Sequence, residues 1–328
     1  MSFNKKIAGV VAAAALVAAS LAGCAQSTSG GTDAAGEPTK DIKVCVYTHG
    51  DGGTFWSVAQ AGAEQAGKDL GITVDYQGSS NDAAKEAQTI DAGVAGGCQG
   101  IAASAPDPDA IKDAMLAAHE AGIPTVTMNS GSAVFADLGA FTHVGQDEVV
   151  AGREAGKKFN ELGLKHVLCP IQEAANVGLA ERCQGLAETF AGTVDNFNID
   201  GALADPSGAQ AKILAALQAD PSIDGIFTLN ADVATGSALP AAQASGNKVT
   251  IGTVDMSADA LQSIKDGDIE FAIDQQQYAQ GYMSVVLLYL NLTNQHELGG
   301  GLPIYTGPGF VTKDNVAKVK ELVAAGSR

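Results

Sequence analysis

Five cysteines, at positions 24, 45, 98, 169 and 183, carry the most distinctive chemistry in this chain. Leaving Cys24 aside, Cys45, Cys98, Cys169 and Cys183 form an even set, which outside the cytoplasm points to two disulfides. Four cysteines allow three pairings. The organisation of the chain favours Cys45–Cys98 and Cys169–Cys183, one bridge in each half. A metal site is not expected, because no C-x-x-C occurs and the five histidines are scattered. No G-x-S-x-G, H-E-x-x-H or Walker A pattern is present. Gly50-Asp51-Gly52-Gly53 follows an apolar run but lacks the later glycine of a nucleotide loop. Asp and Glu together number 37, yet nothing in their spacing marks a catalytic pair. The expectation is a protein without a cofactor and not an enzyme.

The N-terminus reads as an export address. Lys5 and Lys6 precede an apolar run over 7–21 that is rich in Ala and Val. The run is short for a membrane span and suits the apolar core of a secretory signal. It ends in Leu21-Ala22-Gly23-Cys24, which resembles the bacterial lipobox. That resemblance implies a signal peptide over 1–23, lipidation of Cys24 and anchoring at the outer face of the cell membrane. Residues 24–40 are Ser, Thr, Gly and Ala rich, cannot bury a core, and read as a flexible tether. The formal charge is −18, and loss of Lys5 and Lys6 takes it to −20. A chain this acidic repels nucleic-acid phosphates and offers no basic patch to anionic lipid.

The remaining residues must form the body, and they alternate short apolar runs with amphipathic stretches. Strands are predicted over 42–47, 73–76, 100–103, 125–128 and 141–145. Helices are predicted over 55–70, 82–95 and 108–121, with Asp82 and Asp107-Pro108 as start signals. The pattern then restarts. Helices at 148–162, 179–190, 206–219, 233–244 and 258–265 alternate with strands at 166–169, 194–199, 225–229, 249–254 and 271–273. Such alternation means βαβ units and parallel sheets. Two series imply an α/β protein with two doubly wound parallel-sheet domains. A helix over 278–291, an extended piece at 304–306 and a helix over 312–325 are too little for a third core. They are read as completing the two sheets, with a multi-crossover hinge between lobes. The first lobe would hold 41–146 plus about 276–305, and the second 147–275 plus about 306–328. Clefts at such switch points and domain interfaces bind ligands.

Over residues 41–310 the chain resembles the type I periplasmic binding proteins, in the group serving ribose, galactose and related sugar importers. Val46-Tyr47-Thr48-His49 leading to Phe55-Trp56 is similar to that family's first strand and its following aromatic pair. Gly122-Ile123-Pro124-Thr125-Val126 resembles its fourth strand. Ala180-Glu181-Arg182, followed by Gly185-Leu186, resembles its R-x-x-G-F helix. Phe227-Thr228-Leu229-Asn230 resembles F-x-x-N-D, Gly252-Thr253-Val254-Asp255 resembles G-x-D, and Ala272-Ile273-Asp274-Gln275 resembles A-x-x-x-Q.

The resemblance implies a ligand set of His49, Phe55, Trp56, Asn129, Arg182, Asn230, Asp255 and Gln275, with Asp51 a weaker candidate. These residue types suit a monosaccharide or polyol. Buried hydroxyls need a donor and an acceptor each, charged groups make the stronger bonds, and flat aromatics such as Phe55 and Trp56, the sole Trp, cover C–H faces. Asn230 also fits a helix N-cap. Relatives often carry Asp-Arg after the fourth strand, where this chain has Asn129-Ser130. That departure puts ribose or galactose specificity in doubt and leaves pentoses, polyols and inositols open. The implied partners of this monomer are an ABC permease with its ATPase. The alternative is a membrane receptor kinase to which the protein presents a sugar-like signal.

Overall fold

The computed structural model describes residues 41–326 and 328. The expected signal peptide, Cys24 and the tether lie outside the described residues. Among those described, no helix is long and apolar enough to cross a membrane.

The first series runs β1 (Lys43–Thr48), α1 (Gly53–Leu70), β2 (Thr73–Gly78), α2 (Ala83–Ala95), β3 (Gly100–Ser104), α3 (Pro108–Glu120), β4 (Thr125–Met128), a 3₁₀ turn (Phe135–Leu138) and β5 (Thr142–Gly145). The second begins with α4 (Glu148–Glu161), β6 (His166–Ile171), α5 (Val177–Thr189), β7 (Thr193–Asn198), α6 (Pro206–Ala219) and β8 (Gly225–Thr228). It continues through α7 (Ala231–Val233), a π turn (Ala234–Ala238), α8 (Leu239–Ser245), β9 (Thr250–Val254), α9 (Ala258–Asp266) and β10 (Phe271–Asp274). The chain ends with α10 (Gln277–Asn294), β11 (Ile304–Tyr305), β12 (Gly309–Thr312) and α11 (Val316–Ala324).

The strands form two six-stranded sheets in the orders β11-β5-β4-β3-β1-β2 and β12-β10-β9-β8-β6-β7. Every pairing is parallel except β10 with β12. Helices cover both faces, so β3, β4 and β8 are buried at every position. The protein is therefore an α/β fold with two doubly wound lobes. The chain passes between the sheets after β5, after β10 and after β11. The three passages are tied together by polar bonds. Thr306 donates its N–H to the Gly145 carbonyl at 2.9 Å, and its hydroxyl to the Gln275 carbonyl at 2.8 Å.

Local signals fix most helix starts. The side chains of Asp82, Asp107, Asp147, Asn176, Asp205 and Ser257 each accept a backbone N–H from the first turn that follows. Glycines let two helix pairs approach closely. A Cβ on Gly281 of α10 would strike the Ala59 carbonyl of α1, and one on Gly185 of α5 would strike the Val149 carbonyl of α4.

Two expectations are corrected. Residues 312–325 are not one helix: Gly309–Thr312 pairs antiparallel with β10, and α11 starts only at Val316. Residues 233–244 are not a regular helix either. Asn230 starts the segment earlier, and a π turn interrupts it. The disulfides join Cys45 with Cys98 and Cys169 with Cys183. The first ties β1 to the loop before β3, and the second ties β6 to α5.

Candidate functional site

The C-terminal ends of strands from both sheets face one cleft. His49, Phe55, Trp56, Asn129, Arg182, Asn230, Asp255 and Gln275 all line it. Asp51 does not. It is exposed, accepts the Ser80 hydroxyl, and borders a larger outer opening contiguous with the cleft.

The first lobe supplies an aromatic and neutral wall. His49 follows β1 and is held by Ser104 at the end of β3. Its backbone N–H donates to the Ser104 Oγ at 2.7 Å, and its Nδ1 lies 2.8 Å from the same oxygen. Its Nε2 faces across the cleft to the Glu173 carboxylate, 3.8 Å away. Burial lowers the His49 pKa, Glu173 acts against that, and Arg182 adds to it. The Trp56 ring stands edge-on to His49 at 4.7 Å and to Phe55 at 4.8 Å. Gly50 is needed beneath the indole, since a Cβ there would collide with it. Phe55 and Trp56 also belong to the core of the first lobe, so that core fixes their orientation.

Asn129 after β4 and Asp255 after β9 occupy equivalent positions in the two sheets. Both adopt the left-handed region, with φ of 63° and 71°. Both backbone N–H groups donate to the next strand, Asn129 to Val144 O at 3.0 Å and Asp255 to Ile273 O at 2.8 Å. Such strained positions cluster at ligand clamps. Gln275, just past β10, connects them. Its Nε2 donates to Asp255 Oδ1 at 2.6 Å, and its Oε1 accepts from Asn129 Nδ2 at 3.4 Å. A polar chain thus runs from one lobe through the hinge to the other. Burial pushes Asp255 up to about 7, while Arg182 and the Gln275 bond pull it down.

Arg182 is buried on α5. The close approach of α4 and α5 at Gly152 and Gly185 brings it against Glu148 in the first turn of α4. Its Nε and Nη2 bond the two Glu148 oxygens at 2.6 and 2.9 Å, and its Nη1 donates to Leu229 O at 2.9 Å. Burial opposes its charge, but Glu148 holds the pKa above the ordinary value. Of five N–H groups, these bonds take three, which leaves one on each terminal nitrogen for the cleft. Asn230 serves two ends. Its Oδ1 caps α7 by accepting from the Asp232 and Val233 N–H groups at 2.8 and 3.3 Å, and its amide nitrogen is free of that task.

Several lining residues escaped the sequence reading: Gln172, Glu173, Asn176 and Asp232. Gln172 follows β6 as His49 follows β1, so the strand-end rule pointed to it. Glu148, the carboxylate behind Arg182, left no local signal. The lobes also touch directly. The Val177 N–H donates to the Pro106 carbonyl at 3.1 Å, and Ser130 Oγ lies 3.4 Å from Asn176 Oδ1. These contacts hold the two walls close around the lining groups.

Comparison with known proteins accords with this architecture. Residues 42–296 match a family described as periplasmic binding protein domain. A xylose/arabinose-binding protein XylF from Sulfolobus acidocaldarius is 25% identical over 294 residues, covering 84% of this chain and 72% of that protein. A xylitol-binding protein from Mycolicibacterium smegmatis is 27% identical over 327 residues, covering 96% of this chain and 88% of that protein. A solved carbohydrate transporter from Acidothermus cellulolyticus 11B, in complex with myo-inositol, is 38% identical with a TM-score of 0.84, covering 88% of this chain and all (100%) of that one. With most of its length matched by the family model and its fold shared with the solved carbohydrate transporter, the chain belongs to the periplasmic binding protein domain family.

Proposed function

We propose that this protein is the substrate-binding lipoprotein of an ABC importer. It captures a monosaccharide or polyol in the cleft and delivers it to a permease, without catalysing a reaction. The observation that carries this reading is the buried polar chain Asn129–Gln275–Asp255 beside Arg182, closed on one side by Trp56 and Phe55. Hydroxyls on a ring need paired donors and acceptors, and ring C–H faces need flat apolar cover. The cleft offers both. Asp255 accepts, the free Arg182 and Asn230 N–H groups donate, and amides do either. The named ligands of the relatives, xylose, arabinose, xylitol and myo-inositol, are all uncharged polyhydroxyl compounds, and a neutral first-lobe wall suits that class.

Capture works by hinge closure. The moving bodies are residues 41–146 with 276–305 and residues 147–275 with 306–328. Ligand contacts from both walls exist together only when the lobes meet, so ligand favours the closed form. Cys24 carries the lipid that holds the protein at the membrane, and residues 24–40 give the body reach.

A thermal-shift screen over pentoses, hexoses, polyols and inositols tests the ligand class. A ligand at about 100 times its dissociation constant stabilises by roughly 2.7 kcal/mol. A hit confined to amino acids or nucleosides would sink the sugar reading. Loss of labelled palmitate on Cys24→Ala, with release of the protein from membranes, tests the anchor. Uptake of the same ligand that depends on a partner ATPase separates import from presentation to a receptor kinase.

A further inference from the structure

Behind the His49 wall lies a carboxylate that the cleft itself does not use. Glu86 on α2 is fully buried. One of its oxygens, Oε1, accepts from Ser104 Oγ at 3.1 Å, and Oε2 has no hydrogen-bond partner among the described residues. Ser104 Oγ is therefore shared by three groups: the His49 backbone N–H, His49 Nδ1 and Glu86 Oε1.

A hydroxyl has one hydrogen and two lone pairs. The backbone N–H of His49 takes one lone pair. One lone pair and one hydrogen remain for Nδ1 and Glu86, so only two arrangements are complete. With Glu86 ionised, Ser104 donates to the carboxylate and accepts from Nδ1–H, and the cleft-facing Nε2 is a bare acceptor. With Glu86 protonated, the carboxyl donates to Ser104, Ser104 donates to Nδ1, and Nε2 carries the hydrogen into the cleft. In each case His49 stays neutral.

We infer that Glu86, acting through Ser104, sets which nitrogen of His49 carries the hydrogen, and so whether His49 offers the bound ligand a donor or an acceptor. Glu86 is a positioning residue here, and its role rests on the reading of the cleft as the ligand site. Three features favour the protonated arrangement near neutral pH. The unpartnered Oε2 suits a neutral carboxyl better than a carboxylate. Burial pushes Glu86 up to about 8, against the pull of the Ser104 bond. Nε2–H then points towards Glu173 Oε2 across the cleft.

The surroundings leave the relay to these groups. α2 packs on α3, β1 and β3. The charged residues of α3 (Asp109, Lys112, Asp113, His119 and Glu120) are exposed, as are Asp82, Lys85 and Asp91 around Glu86 on its own segment. β1 presents Tyr47, whose hydroxyl lies 3.3 Å from Cys98 Sγ. From the second lobe, Glu173 and Arg182 act on His49.

The test is NMR of the full chain labelled with ¹⁵N-histidine, titrated from about pH 6 to 9, with myo-inositol and D-xylose binding followed over the same range. The hydrogen should sit on His49 Nε2 at the acid end and move to Nδ1 as Glu86 ionises, with ligand affinity changing about tenfold in step. Glu86→Gln should abolish the movement and remove the part of the affinity change that tracks it, leaving only the part that Asp255 contributes. A His49 tautomer that stays fixed in the natural chain, or moves unchanged in Glu86→Gln, overturns the inference. Should Glu86→Gln fail to fold, Ser104→Ala keeps Glu86 and cuts the relay, and a surviving tautomer change there overturns it equally. A tautomer change without any change in affinity removes His49 from ligand selection. Absence of binding by every polyhydroxyl compound instead sinks the sugar reading, and the titration of the ligand-free protein is unaffected by it.

Discussion

The two lobes present the same strand ends to the cleft and put different chemistry on them. After β4 stands Asn129, and after β9 stands Asp255, in the same left-handed conformation and with the same backbone bond to the next strand. After β1 stands His49, and after β6 stands Gln172. The first lobe adds Phe55 and Trp56. The second adds Arg182 on Glu148 and keeps most of its aromatics inside, where Phe159, Phe227, Phe271 and Phe310 pack ring to ring. The fold thus supplies each position twice, and the side chain placed there decides whether a wall is neutral and apolar or charged. Charge is affordable in the second lobe because its carboxylate and guanidinium compensate one another at close range.

That contrast is broken most severely at Arg182. Arg182→Met leaves Glu148 as an uncompensated buried charge, and the protein should lose about 3–5 kcal/mol of stability in a denaturant titration. Asn129→Ala, the polar change on the first-lobe wall, removes no charge and should cost about 1 kcal/mol. The disulfides come next. In the chain-entropy account, a bridge spanning 53 positions is worth about 4 kcal/mol and one spanning 14 about 3 kcal/mol. Replacing Cys45 and Cys98 by Ala should therefore lower Tm more than replacing Cys169 and Cys183.

Asp255→Ala and Asn129→Ala compare the equivalent positions directly. Removing the charged partner should weaken ligand binding roughly 100-fold, whereas removing the amide should cost about tenfold, as read by calorimetry. Equal losses would mean that both walls contribute alike. The smallest effect is on pH dependence. Asp255 and Glu86 are raised to about 7 and about 8 from ordinary values of 3.8 and 4.5. The folded chain therefore holds protons that the unfolded chain releases, and stability falls as pH rises through that window. His143, lowered from 6.5 to about 3 by burial, acts in the opposite sense and costs stability as pH falls below 6.5. Above pH 6.5 the carboxyl effect stands alone, so the ligand-free Tm should decline up to pH 8. Asp255→Asn should remove the part of the decline that belongs to the second lobe, and Glu86→Gln the part that belongs to the first.

Much of this was legible in the residues. Alternating apolar runs and capped helices announced two parallel sheets, because both signals are local. Asp82 and Asp107-Pro108 start helices using bonds that reach only three residues ahead. The strand-end segments with Asn129, Asn230, Asp255 and Gln275 pointed to one cleft, since parallel strands deliver their C-terminal ends to the same edge. β12 was not legible. Four residues at Gly309–Thr312 carry no pattern that separates an edge strand from a helix start, and only pairing with β10 makes them a strand. Nor did anything near Arg182 announce Glu148, 34 positions away.

By itself, then, the sequence determined the order and type of most of the elements, their caps and the residue types at the strand ends, all of which rest on short-range bonds and periodicity. Only the tertiary structure decided which polar groups became partners and which became costly to charge. Ser104 lies between His49 and Glu86, and Gln275 between Asn129 and Asp255, because separate strands and helix α2 bring them together. The raised carboxyls follow from burial between packed layers, a property of the surroundings that no stretch of chain carries alone.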